Sequence, residues 1–517
     1  MRILAAYDTI GIQSYIFASN KLGENVGASK LVADLFNKLL PTVISKCIGQ
    51  TLPDWRKGGQ LDDNLKAEII YQGGGNSYVK FLDEEIFQTI TKRFLVEVNK
   101  IAPGVGIAIA AVETSFSNNY KSDFKTLNKR LMLIKGGFNI PVFAGNQPIT
   151  KQSVRTGSPV SYYEHDEYIS VAQKKKREKY AVHKTDSNSG IEQFEDLVLE
   201  KGKDSFIAII HADGNNMGSG IREYMKNFDD YESAVPKIRE LAVNIDKCYA
   251  EARCRTIVAF TKEFQAKYPD YASQLKSSKS QEDDGNNEIP LIELIGDGDD
   301  TTVVISGRFA LDFAARLLRE IENTAPEKRP FGKNVIPTAC AGVVVFHSHY
   351  PFSEAYKLVE SLCSNAKKPS RETKGSHIDF HLHYSGNVSV LSQLRENQYT
   401  VDNKIIIRRP WRVMLSEKEN ASQTKCVGNE PDFQWFEKNI KYISRMPRNK
   451  TKALRNAIGA GDTAAKIAEN QFIDTELPNL QLSKKDMSEY AALFDILELY
   501  DVYENLLNNE EAANDNK

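Results

Sequence analysis

Gly296-Asp297-Gly298-Asp299-Asp300 stands between two apolar runs, LIELI and TTVVI. Glycine and aspartate tolerate the backbone angles of a tight turn, so the sequence predicts two strands joined by a hairpin. A turn by itself needs no such charge. Three neighbouring carboxylates repel one another unless a cation neutralises them, and hard oxygen ligands suit Mg2+ or Mn2+. A bare hairpin is the alternative reading.

A second acidic turn, Ala-Asp-Gly-Asn-Asn-Met-Gly at 212–218, directly follows the apolar run Phe206–Ile210. In a β-α-β-β fold the first and third strands are antiparallel neighbours about 4.8 Å apart. That arrangement brings Asp213 beside Asp299 and Asp300, close enough to share one or two ions roughly 3.5–4 Å apart. Carboxylates holding metal against nucleotide phosphates are what in-line phosphoryl transfer requires. Lys367 or Lys368, on a helix returning past the fourth strand, could hold the terminal phosphates; a solvated charge is the alternative. His377, His381 and His383 alternate and so share a strand face, but they read as strand residues before they read as metal ligands.

The elements that must position these residues occur twice. Residues 1–112 read as a strand at Ile3–Tyr7, a helix at Ser29–Ser45, a strand pair around Gly73–Gly75, a helix at Glu84–Asn99 and a strand at Gly104–Val112. This β-α-β-β-α-β order is the split βαβ of a ferredoxin-like palm. From Ser205 the order repeats, with a helix from about Tyr231 to Lys267, strands at Ile289–Ile295 and Thr302–Ser306, a helix at Ala310–Thr324 and a strand at Thr338–Phe346.

Between the copies come a helical run, Lys121–Ile134, a turn-rich stretch (Gly136, Gly137, Pro141, Gly145, Pro148) and a basic helix carrying Lys-Lys-Lys-Arg at 174–177, expected to be exposed. The polar segment 277–288 is expected to be a mobile loop.

The fold class is therefore α+β, two ferredoxin-like palms with a connector and a helical C-terminal domain. The expected divisions are a first, degenerate palm at 1–115, a connector at 116–203, and a second, catalytic palm at 204–385. A further connector at 386–430, a separate helical domain at 431–507 and a disordered tail at 508–517 follow. The first copy's hairpin reads Gly73-Gly74-Gly75-Asn76 and its first strand ends at Asp8. Without carboxylates in that turn it cannot assemble the same metal site, yet its small residues allow backbone approach to a nucleotide.

Composition narrows the field. In 517 residues, 41% are hydrophobic and 26% charged, which excludes global disorder. The 67 basic and 69 acidic side chains leave a net charge of −2, so the chain lacks the basic excess of a nucleic-acid coating protein. Six cysteines without a C-x-x-C pair argue against a zinc ribbon and against a disulfide framework. The N-terminus has too few apolar residues for a signal segment, and no apolar run is long enough to span a membrane. A cytoplasmic protein with no membrane partner is expected.

Taken in order, GIQSYIF at 11–17, GAS at 27–29, GGG at 73–75, DGNNMG at 213–218, DGDD at 297–300, CAGV at 340–343 and AK at 366–367 form a recognisable series. Over most of residues 1–385 the chain resembles the large polymerase/cyclase-like subunit of type III CRISPR effector complexes, whose palm is shared with GGDEF and adenylyl cyclases. The resemblance implies a nucleotidyltransferase that converts ATP into 3′–5′-linked, often cyclic, oligoadenylate messengers by two-metal phosphoryl transfer in antiviral defence. It implies Mg2+ or Mn2+ as cofactor, and ATP, CRISPR effector subunits and guide/target RNA as partners. Asp213, Asp299 and Asp300 would be catalytic metal ligands. Gly214, Asn215, Asn216, Gly298, Lys367, Gly73, Gly74 and Gly75 would bind nucleotide.

The chain departs from the family pattern at Asn215, where a second aspartate is usual, at Asp297 in place of a glycine, and at Cys340 in place of a serine. The family's frequent HD nuclease is expected to be absent, since the first palm opens at residue 1, and His165–Asp166 alone cannot make one. The zinc-binding cysteines often found between the palms are missing as well. A catalytically inactive scaffold subunit and a stand-alone cyclic (di)nucleotide synthase are the alternative readings.

Overall fold

The computed structural model describes residues 1–137, 150–187, 191–199, 205–271, 289–384, 390–413, 432–443, 446–472 and 487–506. The expected loop at 277–288, the tail at 508–517 and the prolines at 141 and 148 lie outside the described residues.

The first sheet contains β1 (Arg2–Ile10), β2 (Ala67–Gly73), β3 (Asn76–Phe81) and β4 (Gly106–Thr114), in the antiparallel order β2-β3-β1-β4. Strand periodicity sorts β1 into two faces. Ile3, Ala5 and Tyr7 join one apolar cluster, and Leu4 and Ala6 join another. The first face is covered by α1 (Ile12–Ile16), α2 (Leu22–Asp34), α3 (Leu40–Ile48) and α4 (Glu84–Ile101), and the second by α5 (Tyr120–Gly137). The helix expected at Ser29–Ser45 is thus α2 and α3 joined through a π-helical turn at Leu35–Leu39. Gly136 and Gly137, expected in a turn, end α5 instead.

The connector holds a small hairpin, β5 (Tyr162–Glu164) and β6 (Glu167–Ile169), followed by α6 (Val171–Ser187). The expectation that α6 is an exposed basic helix is corrected by its packing on α2. Lys176 is only 4% exposed, and its ammonium donates to the Tyr15 carbonyl at 2.5 Å. Arg177 pairs with Glu24 and Glu167, each at 2.7 Å. Four consecutive helical residues point about 100° apart, so a run of charges on a packed helix must send at least one inward. The close approach depends on Gly27, where an added Cβ would stand 1.9 Å from the Lys176 carbonyl oxygen.

The second sheet begins with β7 (Phe206–Gly214), α7 (Met217–Met225) and α8 (Tyr231–Lys267). It continues through β8 (Leu291–Asp297), β9 (Asp300–Ser306), α9 (Ala310–Glu322), β10 (Ala339–His347), α10 (Phe352–Thr373) and β11 (Ser376–His383). After α11 (Leu391–Tyr399) and the hairpin β12 (Thr400–Val401) and β13 (Lys404–Ile405), the short β14 (Trp411–Val413) completes the order β14-β11-β10-β7-β9-β8. Ile207 and Ile209 of β7 share a cluster with Ile3, Tyr7 and Phe94 of the first palm. Ala208, Ile210 and Ala212 face a second cluster on the opposite side. A strand buried on both faces reads as an unbroken apolar run, as Phe206–Ile210 does.

That second cluster also takes in Phe433 and Phe436 of α12 (Phe433–Ile443), Leu454 of α13 (Arg448–Gly459), Ala465 of α14 (Asp462–Phe472) and Leu493 and Ile496 of α15 (Met487–Leu499). The C-terminal helices therefore share their core with the second sheet. Helix α8 spans both palms: its 37 residues make a rod of about 55 Å. Tyr231, Val235, Ile238 and Leu241 pack behind the first sheet, whereas Tyr249, Phe260 and Phe264 pack behind the second.

Candidate metal and nucleotide site

The register of the second sheet brings the two acidic turns together. β7 runs antiparallel to β9 with Ala212 opposite Thr301, so Asp213 and Asp300 end neighbouring strands on one face. β8 and β9 close with Asp297 opposite Asp300, leaving Gly298 and Asp299 as the two-residue loop. Gly298 has φ +58°, which a glycine adopts without the penalty that a Cβ carries.

His211 lies two residues before Asp213 and therefore shares its face. One ligand atom from each of His211, Asp213 and Asp300 lies within 4.8 Å of the other two. The buried His211 ring is oriented by Nδ1 against the Thr302 hydroxyl at 3.0 Å and by an edge contact with Tyr356. Sequence reasoning passed over this residue. The available signal was the alternation of β7, which puts positions 211 and 213 side by side.

Asp299 is not one of the three. It stands at the hairpin tip against Gly214, where an added Cβ would meet its Oδ2 at 2.8 Å, so the missing side chain at 214 is what admits this carboxylate. Asp297 turns elsewhere: the Gly75 backbone N–H and Arg253 favour its charge, while burial and Asp246 raise its pKa. The extra carboxylate of this hairpin thus faces the first palm's glycine turn.

Lys367, near the end of α10, sets its ammonium 2.5 Å from Asp213 Oδ2 and 3.4 Å from the Gly214 carbonyl. Burial opposes its charge, but Asp213 outweighs that and raises the pKa. Lys368 is exposed, so Lys367 is the one of the pair at the acidic turns. Asn215 is held on β10's approach: its backbone N–H donates to the Thr338 carbonyl at 2.8 Å and its side-chain amide to the Thr338 hydroxyl at 3.0 Å. Asn216, with φ +58°, starts α7.

Crowding shows in the carboxyl groups themselves. Burial, then the charges of Asp213 and Asp299, push Asp300 up to about 8. Burial and Asp213 push Asp299 up to about 6. Burial also lowers His211 to about 4, which keeps its imidazole neutral and able to ligate at neutral pH. Two carboxylates, a neutral imidazole and a single lysine form a donor set short of positive charge, which fits a divalent cation. His377, His381 and His383 stand on the buried strand β11, outside this group.

The acidic hairpin lines a cleft of about 1720 Å³ between the palms, facing Asp8 and Gly73, Gly74 and Gly75. That exceeds the roughly 300–1,000 Å³ usual for one small ligand. Lys30, Lys57, Lys125 and Lys129 add positive charge to its walls. The first palm's own site residue, Asp8, is occupied by Lys135 at 2.6 Å. The GAS motif serves the contact between palms, since Ser29 donates its hydroxyl to the Leu294 carbonyl of β8.

Residues 206–375 match the family model described as Cas10/Cmr2, second palm domain. No curated protein matches the chain. Solved structures do: the Csm1–Csm4 cassette in complex with cA4 aligns at 11% identity and TM-score 0.52, covering 97% of this chain and 69% of that one. The same cassette with AMPPNP aligns at 12% and 0.53, covering 96% and 69%. The Csm1–Csm4 subcomplex of the type III-A CRISPR-Csm interference complex aligns at 13% and 0.52, covering 97% and 69%. At such identities the likeness is one of fold. No described helix is long and apolar enough to cross a membrane. Residues 206–375 are thus similar to the Cas10/Cmr2 second palm domain, within a chain whose α+β palm fold resembles that of Csm1.

Proposed function

We propose that the chain is a nucleotidyltransferase that joins ATP into 3′–5′-linked, often cyclic, oligoadenylates, acting as the palm subunit of a type III CRISPR effector complex with guide and target RNA. The observation that carries this reading is the convergence of His211, Asp213 and Asp300 at the wall of a cleft whose other side is the glycine turn 73–75.

Asp213 and Asp300, with His211 beside them and Asp299 adjoining, are the residues assigned to hold Mg2+ or Mn2+. Such an ion, when bound, supplies charge stabilisation for the reacting phosphate and its leaving group. Lys367, whose ammonium lies beside Asp213 and the Gly214 carbonyl, would hold a phosphate at that turn. Gly298 and Gly214 leave the backbone open to close approach, and Gly73, Gly74 and Gly75 do so from the first palm. The reaction forms a bond from a ribose hydroxyl oxygen to the α-phosphorus of a second nucleotide, breaks that phosphorus's bond to pyrophosphate and releases the hydroxyl proton. Solved structures similar to this one include the Csm1–Csm4 cassette in complex with one ATP, with pppApA and with cA3, the substrate and product classes proposed.

An idle scaffold would have no physical reason to hold Asp299 and Asp300 in a setting that opposes their charge. The test is incubation of the purified chain with ATP and Mg2+ or Mn2+, with and without partner subunits and guide–target RNA, followed by mass spectrometry. Oligoadenylates and pyrophosphate are expected. Their absence in the RNA-activated complex sinks the reading.

A further inference from the structure

Arg253, on α8, approaches the acidic hairpin from the side opposite Asp213 and Asp300. Strand alternation fixes this: Thr301, Val303 and Ile305 face the cluster that packs on α8, whereas Asp300 and Thr302 face His211. Its guanidinium is buried and spread over three groups. Nε meets Glu293 Oε2 at 2.8 Å, Nη2 donates to the Gly296 carbonyl at 3.1 Å, and Nη1 reaches the Thr301 hydroxyl at 3.4 Å.

Those contacts straddle an irregularity. The β8–β9 register slips between Glu293 and Ile295, so the strand is bulged just before the turn. A bulge disrupts the ladder and changes where the following side chains point. Arg253 ties the residue before the slip to the carbonyl after it and to the partner strand next to Asp300. Gly296 leaves room for this, since a Cβ there would stand 2.4 Å from Glu293 Oε1 and 3.0 Å from Arg253 Cζ.

The same helix is anchored in the first palm. About four turns earlier, or ~21 Å, buried Arg239 pairs with Glu68 at 2.8 Å and donates to the Ile69 carbonyl at 2.8 Å and the Ile70 carbonyl at 2.9 Å. We propose that Arg253 is a positioning residue which fixes the register of the bulged hairpin so that Asp300 meets Asp213, and that α8 ties this register to the first palm. The inference rests on the reading of the hairpin as a metal site.

The experiment measures Mn2+ affinity of the full chain by electron paramagnetic resonance, with thermal melts and hydrogen exchange of the 299–302 amides alongside. Arg253→Gln is expected to weaken Mn2+ at least fivefold and to speed exchange at 299–302. Gly296→Ala, which removes no charge but crowds the Glu293 carboxylate and the Arg253 guanidinium, is expected to act in the same direction. If Arg253→Gln fails to fold, Gly296→Ala and Arg253→Lys decide. Mn2+ affinity within twofold of wild type in folded variants overturns the proposal, because a merely structural arginine would move the melting temperature alone. If wild type binds Mn2+ and the variants lose it, while no product forms under any activating RNA, the positioning role stands and the nucleotidyl-transfer reading fails. A wild-type chain that binds no Mn2+ overturns both.

Discussion

The two palms share a strand order, β4-β1-β3-β2 in the first and β10-β7-β9-β8 in the second, yet their equivalent turns have opposite electrostatics. At the end of β1 the single carboxylate, Asp8, is met by Lys135, and the facing turn is all glycine and asparagine. At the end of β7, Asp213 meets Asp300 as well as Lys367, and Asp299 adjoins. Burial raises Asp8 too, but the lysine counters it, while in the second palm neighbouring carboxylates add to burial. A backbone can be duplicated without its chemistry, because strand pairing depends on alternation and turn residues, and metal binding on three or four side chains at the strand ends.

The largest effect that would break this comparison is at Asp300. Asp213→Asn or Asp300→Asn is expected to lower the initial rate of pyrophosphate release by at least ~100-fold, in the range seen when one preorganised electrostatic group is removed. Asp299→Ala combined with Asp300→Ala is expected to abolish product formation and leave the fold intact. Asp8→Asn in the first palm is expected to cost less than ~10-fold, since among the described residues no metal cluster is built on it. An equal loss from Asp8→Asn would place essential charge in both palms.

The pH dependence follows from the same contrast. In the metal-free protein the folded pKa of Asp299 is raised to about 6 and that of Asp300 to about 8, above the ordinary value of 3.8. The folded state therefore binds more protons than the unfolded state between about pH 4 and 8, and stability falls as pH rises through that window. A cation must displace those protons, so Mn2+ affinity is expected to rise with pH, by up to about tenfold per unit for each proton released, and to level off above pH 8. Melting curves in EDTA and in Mn2+ from pH 5 to 9 check both slopes. Asp300→Asn should flatten the upper half of the window; an unchanged slope would mean that Asp300 is not the group titrating there.

What could be read in the sequence was local. The glycine–aspartate turn, the apolar run before Asp213 and the long helix from Tyr231 each carry their signal within a few residues, and the β7–β9 register follows once the fold order is recognised. What escaped were partners far away in the chain. Thr338 binds Asn215 across 123 positions, and Arg253 reaches the hairpin from 43 positions before Gly296. The Lys174–Arg177 run was misjudged because charge says little about which side of a helix is packed. Gly23 and Gly27, one turn apart on α2, were the available sign of a close helix neighbour, and both would clash with α6 if they carried a Cβ.

That neighbour offers a test of the scaffold as distinct from the site. Gly27→Ala would drive a methyl to 1.9 Å from the Lys176 carbonyl oxygen, a backbone atom that cannot swing aside. Overpacking of this kind costs about 1–3 kcal/mol, so the melting temperature is expected to fall by several degrees. Metal affinity in the folded protein should stay close to wild type, because Gly27 meets α6, whereas the contact of α2 with β8 is made by Ser29. A parallel loss of Mn2+ binding would instead show that the α2–α6 contact sets the cleft.

The smallest expected effect is at Asn215, the position where the second palm lacks the family's usual second aspartate. Its backbone N–H bonds to the Thr338 carbonyl whatever the side chain. Its side-chain amide donates to the Thr338 hydroxyl at 3.0 Å, and in Asn215→Asp the hydroxyl can rotate to donate to the new carboxylate instead. One neutral hydrogen bond is exchanged for a charged one, so stability is expected to change by no more than about 1 kcal/mol. Product formation should stay within about threefold of wild type. A rise, together with tighter Mn2+ binding, would mean that the added carboxylate joins Asp213 at the metal. A loss of tenfold or more without any change in Mn2+ affinity would mean that the amide itself contacts the nucleotide.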